Sequence, residues 1–233
     1  MKKVFWENPY QQTLTTKVTS VDGNKVLFNE TIIYSFAGGQ ESDKATVNGI
    51  PVLDSVMDGN LIYYILHEGH GLAPDDQVTM IIDWPRRNRL MRLHFAAELI
   101  LEIVTQKYGY EKIGAHISET KARIDFIADR NISEHFDEIL AIYNEIIKAD
   151  KEIQKGYSDV ANQRRYWKMD LPDIAPWATA VGFAQVPCGG THVKSTAEVG
   201  FVTLRRERPG KSKERIEIRL VDDLYACMVS RTT

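Results

Sequence analysis

The sequence predicts an α+β protein: a small N-terminal β-barrel followed by an α+β segment with two long helices on an antiparallel sheet. Two observations carry that expectation. Short β-branched and aromatic runs separated by Gly- and Asn-containing turns fill residues 1–83. After Asp83 the apolar residues recur instead at three- and four-residue steps, the period of a helical face. The expected domains are therefore 1–83 and 84–233.

Each element follows from local chemistry. Thr13–Val21 and Lys25–Phe28 flank Asp22-Gly23-Asn24, and Lys44–Val47 and Ile50–Leu53 flank Asn48-Gly49; both are hairpin signals. Glu30–Ser35, Leu61–His67 and Val78–Ile82 read as further strands, and spacing this short suggests a barrel. Pro85 suits the first turn of a helix whose face is Leu90, Leu93, His94, Ala97, Glu98, Leu101 and Val104, ending at Tyr108-Gly109-Tyr110. Ala115–Ile117 and Ala122–Ile127 read as a strand pair. Ser133 is the expected N-cap of a second helix, with acids in its first turn, an apolar face from Phe136 to Ile153 and a stop at Gly156. After a Pro-containing link at Leu171–Pro176, the runs Phe183–Pro187, Val199–Arg206 and Arg215–Leu220 look like strands, the last two joined at a Pro209-Gly210 turn.

The 233 residues are 43% hydrophobic and 26% charged, as in ordinary globular proteins. There is no eighteen-residue apolar run and no visible secretory signal, so neither a membrane span nor export is expected. Two cysteines make no disulfide framework, and the reading is cytoplasmic with reduced thiols. Net charge is -3, which excludes a uniformly basic nucleic-acid coat. Its distribution is uneven: residues 1–83 hold 5 Lys/Arg against 11 Asp/Glu, and the rest hold 24 against 21. Two basic clusters stand in the second segment. One is Arg86, Arg87, Arg89 and Arg92; the other is Arg205, Arg206, Arg208, Lys211, Lys213 and Arg215.

One set of residues carries metal chemistry. His94 and Glu98 are four apart on a helix, one turn above each other, so both side chains reach one ion. Cys188 and His192 are again four apart, with Gly189-Gly190 between them to let the backbone curl. Imidazole, thiolate and carboxylate are all zinc donors. His67-Glu68-Gly69-His70 has metal-type residues but reads as a solvated turn. Trp6, Trp84, Trp167, Trp177 and Cys227 read as packing residues.

Cys188-Gly189-Gly190-Thr191-His192-Val193, followed by Ser195-Thr196 and Glu198-Val199-Gly200, resembles the signature of alanyl-tRNA editing domains, found inside alanyl-tRNA synthetases and as free-standing AlaX proteins. The resemblance extends upstream. Trp6 through Tyr10 looks like the opening of the longer AlaX proteins, and Thr31 through Asp43, with Gly38-Gly39-Gln40, like their glycine-rich motif without its aromatic-Pro. Arg92-Leu93-His94 is similar to the start of the family's His-xxx-His helix. Gly114-Ala115-His116-Ile117 and Lys121 to Phe126 look like its following hairpin.

The resemblance implies a zinc-dependent deacylase acting on tRNA(Ala) that carries a wrong amino acid. One zinc per chain would be held by His94, Glu98, Cys188 and His192, with Glu98 replacing the usual histidine. Ala97 stands where many members have threonine, and Glu119 where the synthetases tend to carry glutamine. Gly38, Gly39, Gln40, Ala97 and Glu119 would line the substrate site. Gly189, Gly190 and Thr191 would offer N–H donors to an oxyanion. His116 would act as a pocket hydrogen-bond group or proton shuttle, or serve as a structural histidine. Arg86, Arg87 and Arg89 would contact phosphates of the acceptor end. A pocket that merely fits alanine rejects an added hydroxyl weakly and glycine poorly. Ser-tRNA(Ala) is therefore the expected substrate, with Gly-tRNA(Ala) beside it. Two other readings stay open: an RNA-binding module that has lost catalysis through Glu98, and a metal-dependent hydrolase of small esters.

Overall fold

The computed structural model describes residues 1–159, 164–169 and 184–222. Its architecture is α+β with mostly antiparallel sheets and few helices. The chain divides into two compact units: Met1–Ala37 with Glu41–Asn88, and Gly38–Gln40 with the chain from Arg89 onward. No helix among the described residues is long and apolar enough to cross a membrane. Trp177, Cys227, Phe183 and the link at Leu171–Pro176 lie outside the described residues.

The first unit contains β1 (Lys2–Lys3), α1 (Val4–Glu7), β2 (Thr13–Asp22), β3 (Lys25–Phe28), β4 (Glu30–Thr31), β5 (Ala45–Val47), β6 (Ile50–Pro51), β7 (Asp54–Asp58), β8 (Leu61–Ile65) and β9 (Gln77–Ile82). Seven strands make one antiparallel sheet in the order β6-β5-β9-β2-β3-β8-β7. It is an open curled sheet, with β6 and β7 as its hydrogen-bonded edges. The turn between β5 and β6 places Asn48 and Gly49 at φ 48° and 80°, the two left-handed residues that a two-residue hairpin needs. Glu30–Ser35 is a strand only over Glu30–Thr31; Ile32, Ile33 and Tyr34 are buried without pairing in the sheet. β7 is an addition to the expected strands, although Asp58-Gly59-Asn60 repeats the turn chemistry of Asp22-Gly23-Asn24.

Two of the arginines expected to face phosphate lie inside this unit. Arg87 is fully buried. Its Nε donates to Asp43 Oδ1 at 2.8 Å, its Nη2 donates to Asp43 Oδ2, and Nη1 and Nη2 donate to the carbonyls of Pro9 and Ile32 at 2.9 and 2.6 Å. Asp43 Oδ2 also accepts the Tyr34 N–H at 2.7 Å. Arg86 donates to the Ser42 carbonyl and pairs with Glu41 at 2.8 Å. The acids that neutralise Arg86 and Arg87 sit some 44 residues upstream, so the pair reads as uncompensated in sequence while being satisfied in space. Arg86 and Arg87 are structural, not phosphate-facing.

The second unit takes most of α2 (Trp84–Tyr108), then β10 (Glu111–Ile117), β11 (Ala122–Ile127), α3 (Phe136–Lys148), β12 (Gln154–Asp159), β13 (Arg164–Met169), β14 (Ala184–Pro187), β15 (Val202–Gly210) and β16 (Lys213–Leu220). A four-stranded antiparallel sheet has the order β10-β11-β16-β15, and a three-stranded one β12-β13-β14. On α2 not only Leu90, Leu93 and Val104 but also Phe95, Leu99, Ile100 and Ile103 are fully buried. The helix is therefore buried on more than one face.

Three boundaries differ from expectation. Asn131, not Ser133, caps the second helical stretch: its Oδ1 accepts the Ser133 N–H at 3.1 Å, and a turn of 3-10 helix precedes α3. α3 ends at Lys148, where Asp150 at φ 46° breaks the helix, so Ile153 and Gly156 lie beyond it. Gly156 belongs to β12, where the Tyr166 ring covers it so closely that a Cβ would lie 2.5 Å from the Tyr166 hydroxyl. At the last hairpin the strands run through Pro209-Gly210, and the tip is Lys211-Ser212, with Ser212 at φ 55°.

Candidate metal centre

α2 supplies His94 and Glu98 one turn apart. The loop after β14 supplies Cys188 and His192, and it is anchored on several sides. Val193 and Val199 are fully buried. Thr196 Oγ1 donates to the Ile146 carbonyl at 2.8 Å and accepts the Lys151 N–H at 2.9 Å. Arg92 Nε and the Tyr143 hydroxyl hold the carbonyls of Val199 and Gly200.

These supports bring the donor atoms together. Cys188 Sγ lies 3.3 Å from His94 Nε2 and 3.2 Å from His192 Nε2. The three donors of His94, Cys188 and His192 all fall within 4.8 Å of one another. Glu98 Oε1 stands 3.4 Å from His94 Nε2 and 4.0 Å from Cys188 Sγ, while its Oε2 accepts a hydrogen bond from Trp167 Nε1 at 3.3 Å. Burial opposes charge on His94, yet the Cys188 sulfur and the Glu98 carboxylate beside it push its pKa up to about 10. Burial likewise works against the Glu98 carboxylate, but His94 and Trp167 outweigh it and hold the acid below its ordinary value. A pocket that draws positive charge between two imidazoles, a sulfur and a carboxylate fits a soft divalent cation, and the mixed N/S donor set suits zinc.

The glycine-rich segment joins the same unit. The Ile117 N–H donates to the Gly39 carbonyl at 2.7 Å, and Gln40 forms a parallel bridge with Ile117, next to His116. Gly39 has φ 90°, and a Cβ there would sit 2.6 Å from the Ala115 carbonyl oxygen, so only glycine fits. Gln40 is fully buried and bonded to both His94 and Thr191. The Thr191 N–H is taken by Gln40 Oε1 at 3.1 Å, so it is not the oxyanion donor expected of it. Ala97 is buried on α2. The carbonyl of Glu119 accepts a bond from Arg89 Nε at 3.1 Å, and His116 is half-buried.

Trp167 does more than the packing expected of it. It is fully buried, its ring meets Phe95 at 4.9 Å, and its indole N–H fixes Glu98. It stands on β13, a strand that periodicity in the sequence does not reveal, and no local signal pointed to the bond. His67 bonds to the carbonyl of Glu68 in its own turn, and His70 to the carbonyl of Gly23 in the turn between β2 and β3.

The described fold gathers one buried nitrogen–sulfur–carboxylate site in an antiparallel α+β unit, the makings of a metal-binding protein. The similarities of the chain are more specific. Residues 181–217 match the model of the threonyl and alanyl tRNA synthetase second additional domain. The alanyl-tRNA editing protein AlaX-M of Pyrococcus horikoshii is 29% identical, with 94% of this chain and 97% of that protein covered. AlaX-M of Saccharolobus solfataricus is 27% identical over 92% and 97%. The alanine–tRNA ligase of Staphylothermus marinus is 31% identical over 87% of this chain, which spans 24% of that enzyme. The chain thus resembles free-standing alanyl-tRNA editing proteins over nearly its whole length.

Proposed function

We propose that the protein is a zinc-dependent trans-editing hydrolase of the cytoplasm that deacylates mischarged tRNA(Ala), chiefly Ser-tRNA(Ala) and also Gly-tRNA(Ala). Residues 1–83 would form a barrel-like N-terminal domain and residues 84–233 the editing domain. The observation that carries this reading is the convergence of His94, Cys188 and His192 on one point, in a chain similar throughout to AlaX-M proteins.

His94, Cys188 and His192 would hold the zinc, with Glu98 as fourth donor. When bound, zinc supplies Lewis acidity, either to water or to the ester carbonyl. The chain's own residues do the rest. Trp167 tethers one oxygen of Glu98 and leaves the other turned to the cluster. His116, on β10 beside the glycine-rich segment, would hydrogen-bond the aminoacyl group or shuttle a proton, or serve as a structural histidine. Gly189 and Gly190 would offer the backbone donors that the resemblance implies.

The test is deacylation of Ser-tRNA(Ala), beside Ala-tRNA(Ala) and a small aminoacyl ester, with zinc content measured on protein purified without chelators. Preferential release of serine with about one zinc per chain is expected. tRNA binding without zinc or turnover would establish the binding module instead, and equal turnover of the small ester the general esterase. Cys188→Ala is expected to remove most zinc affinity, because the thiolate is the softest donor. Glu98→His is expected to tighten zinc binding, read by chelator competition; unchanged affinity would count against Glu98 as a ligand.

The phosphate-binding role moves to the β15–β16 hairpin. Arg206 and Arg215 are neutralised there by Glu214 and Asp125. Arg205, Arg208, Lys211 and Lys213 are exposed and form no salt bridge among the described residues. Neutralising Arg208, Lys211 and Lys213 together is expected to weaken tRNA binding. Its salt slope should fall by roughly 0.7–0.9 units of log K per log salt for every phosphate no longer neutralised. Turnover of the small ester should persist. An unaltered salt slope would remove the hairpin from the RNA interface.

A further inference from the structure

Gln40, expected to touch substrate, is fully buried, and both acceptor positions of its carboxamide oxygen are taken by the protein itself. We propose that Gln40 is a positioning residue, setting the tautomer of His94 and tying it to the loop that carries His192. The inference rests on the metal reading of the site and adds a residue to it.

The hydrogen bonds determine the amide's orientation. Gln40 Oε1 accepts the Thr191 backbone N–H at 3.1 Å, and Nε2 donates to Thr191 Oγ1 at 2.9 Å. A flipped amide would set NH2 against that N–H, donor against donor. Oε1 is therefore the atom that meets His94 Nδ1 at 2.6 Å. An amide oxygen carries no hydrogen, so the proton must be on His94 Nδ1. In the neutral ring that a metal requires, the lone pair is then on Nε2, the nitrogen that faces Cys188 Sγ 3.3 Å away. Metal-ligating histidines are commonly oriented by an acceptor on the other ring nitrogen. Here the acceptor is a neutral amide, fully buried, that also grips the residue just before His192. One side chain thus joins His94, 54 residues away, to Thr191, 151 residues away, beside the donor His192.

The experiment compares wild type, Gln40→Leu and Gln40→Glu. Zinc affinity is measured by chelator competition, and the His94 ring by nitrogen NMR of the zinc-loaded protein. Gln40→Leu is expected to weaken zinc binding by roughly 10–100-fold and to lose the hydrogen-bonded Nδ1 proton signal. Gln40→Glu is expected to keep both, since a carboxylate oxygen accepts from His94 and Thr191 alike and the Thr191 hydroxyl can rotate to donate. Wild-type affinity in Gln40→Leu, or a loss in Gln40→Glu as deep as in Gln40→Leu, overturns the proposal while leaving the metal site standing. If Gln40→Leu does not fold, Gln40→Glu decides: a retained Nδ1 proton and near wild-type affinity support the role, and their loss overturns it. A wild-type protein that binds no zinc sinks the metal reading itself, and this inference with it.

Discussion

Replacing Gly190 by alanine is expected to abolish function while Gly189→Ala is nearly neutral. A Cβ on Gly190 would lie 1.9 Å from His94 Cε1, 2.3 Å from His94 Nδ1 and 2.9 Å from Gln40 Oε1. None of these neighbours can retreat cheaply. The imidazole is enclosed, and Gln40 is held by Thr191. His94 must swing out of the cluster, and a displacement of even about 1 Å at a reacting site costs on the order of 100-fold. Zinc affinity and deacylation should therefore fall together, whereas the fold bears only an overpacking cost of roughly 1–3 kcal/mol. At Gly189 a Cβ meets nothing within 4 Å. Chelator competition and turnover on both variants check the contrast. Full zinc occupancy in Gly190→Ala would show that His94 is not where the metal is held.

Arg87→Leu is expected to be the most destabilising single change in the first unit, and to act without touching the metal site. The guanidinium and the Asp43 carboxylate are both wholly buried, each bonded to the other and to backbone groups. Removing one member strands the other charge in a low dielectric, at a cost of about 3–5 kcal/mol. At roughly 2–4 °C per kcal/mol for a chain of this size, the melting midpoint should drop by on the order of 10 °C. The double change Arg87→Leu with Asp43→Leu should recover part of that loss, because no charge is then left alone. Thermal melts of the two variants give the answer. A single variant as stable as wild type would mean that water reaches the pair.

What the sequence reveals, and what it hides, divides by the reach of the interaction. Asn48-Gly49 and Asp22-Gly23-Asn24 mark their hairpins because turn chemistry acts within four residues. His94 and Glu98 can be paired because helical geometry repeats every turn. Gln40 can be singled out but not understood, since its partners stand at His94 and Thr191. Arg87 misleads for the same reason: its acid is Asp43, and a charge cluster carries no mark of a counter-ion from another element. The end of α3 is hidden because Ile153 keeps the apolar period, whereas the break is a backbone event at Asp150.

The parallel bridge at Gln40 has a bearing on how copies of this protein meet one another. Among the described residues β10 is the outermost strand of its sheet, and an open strand edge is a template for pairing with a second molecule. Gly39 and Gln40 occupy that edge at Ile117, and the irregular register between Lys112 and Gly114 disturbs its opposite end. Three residues borrowed from early in the chain thus blunt the strand at one end while a bulge spoils it at the other. A bulky residue at Gly39 would lift the borrowed segment away. Clumping in concentrated solution should then accompany the loss of Gln40's hold on His94.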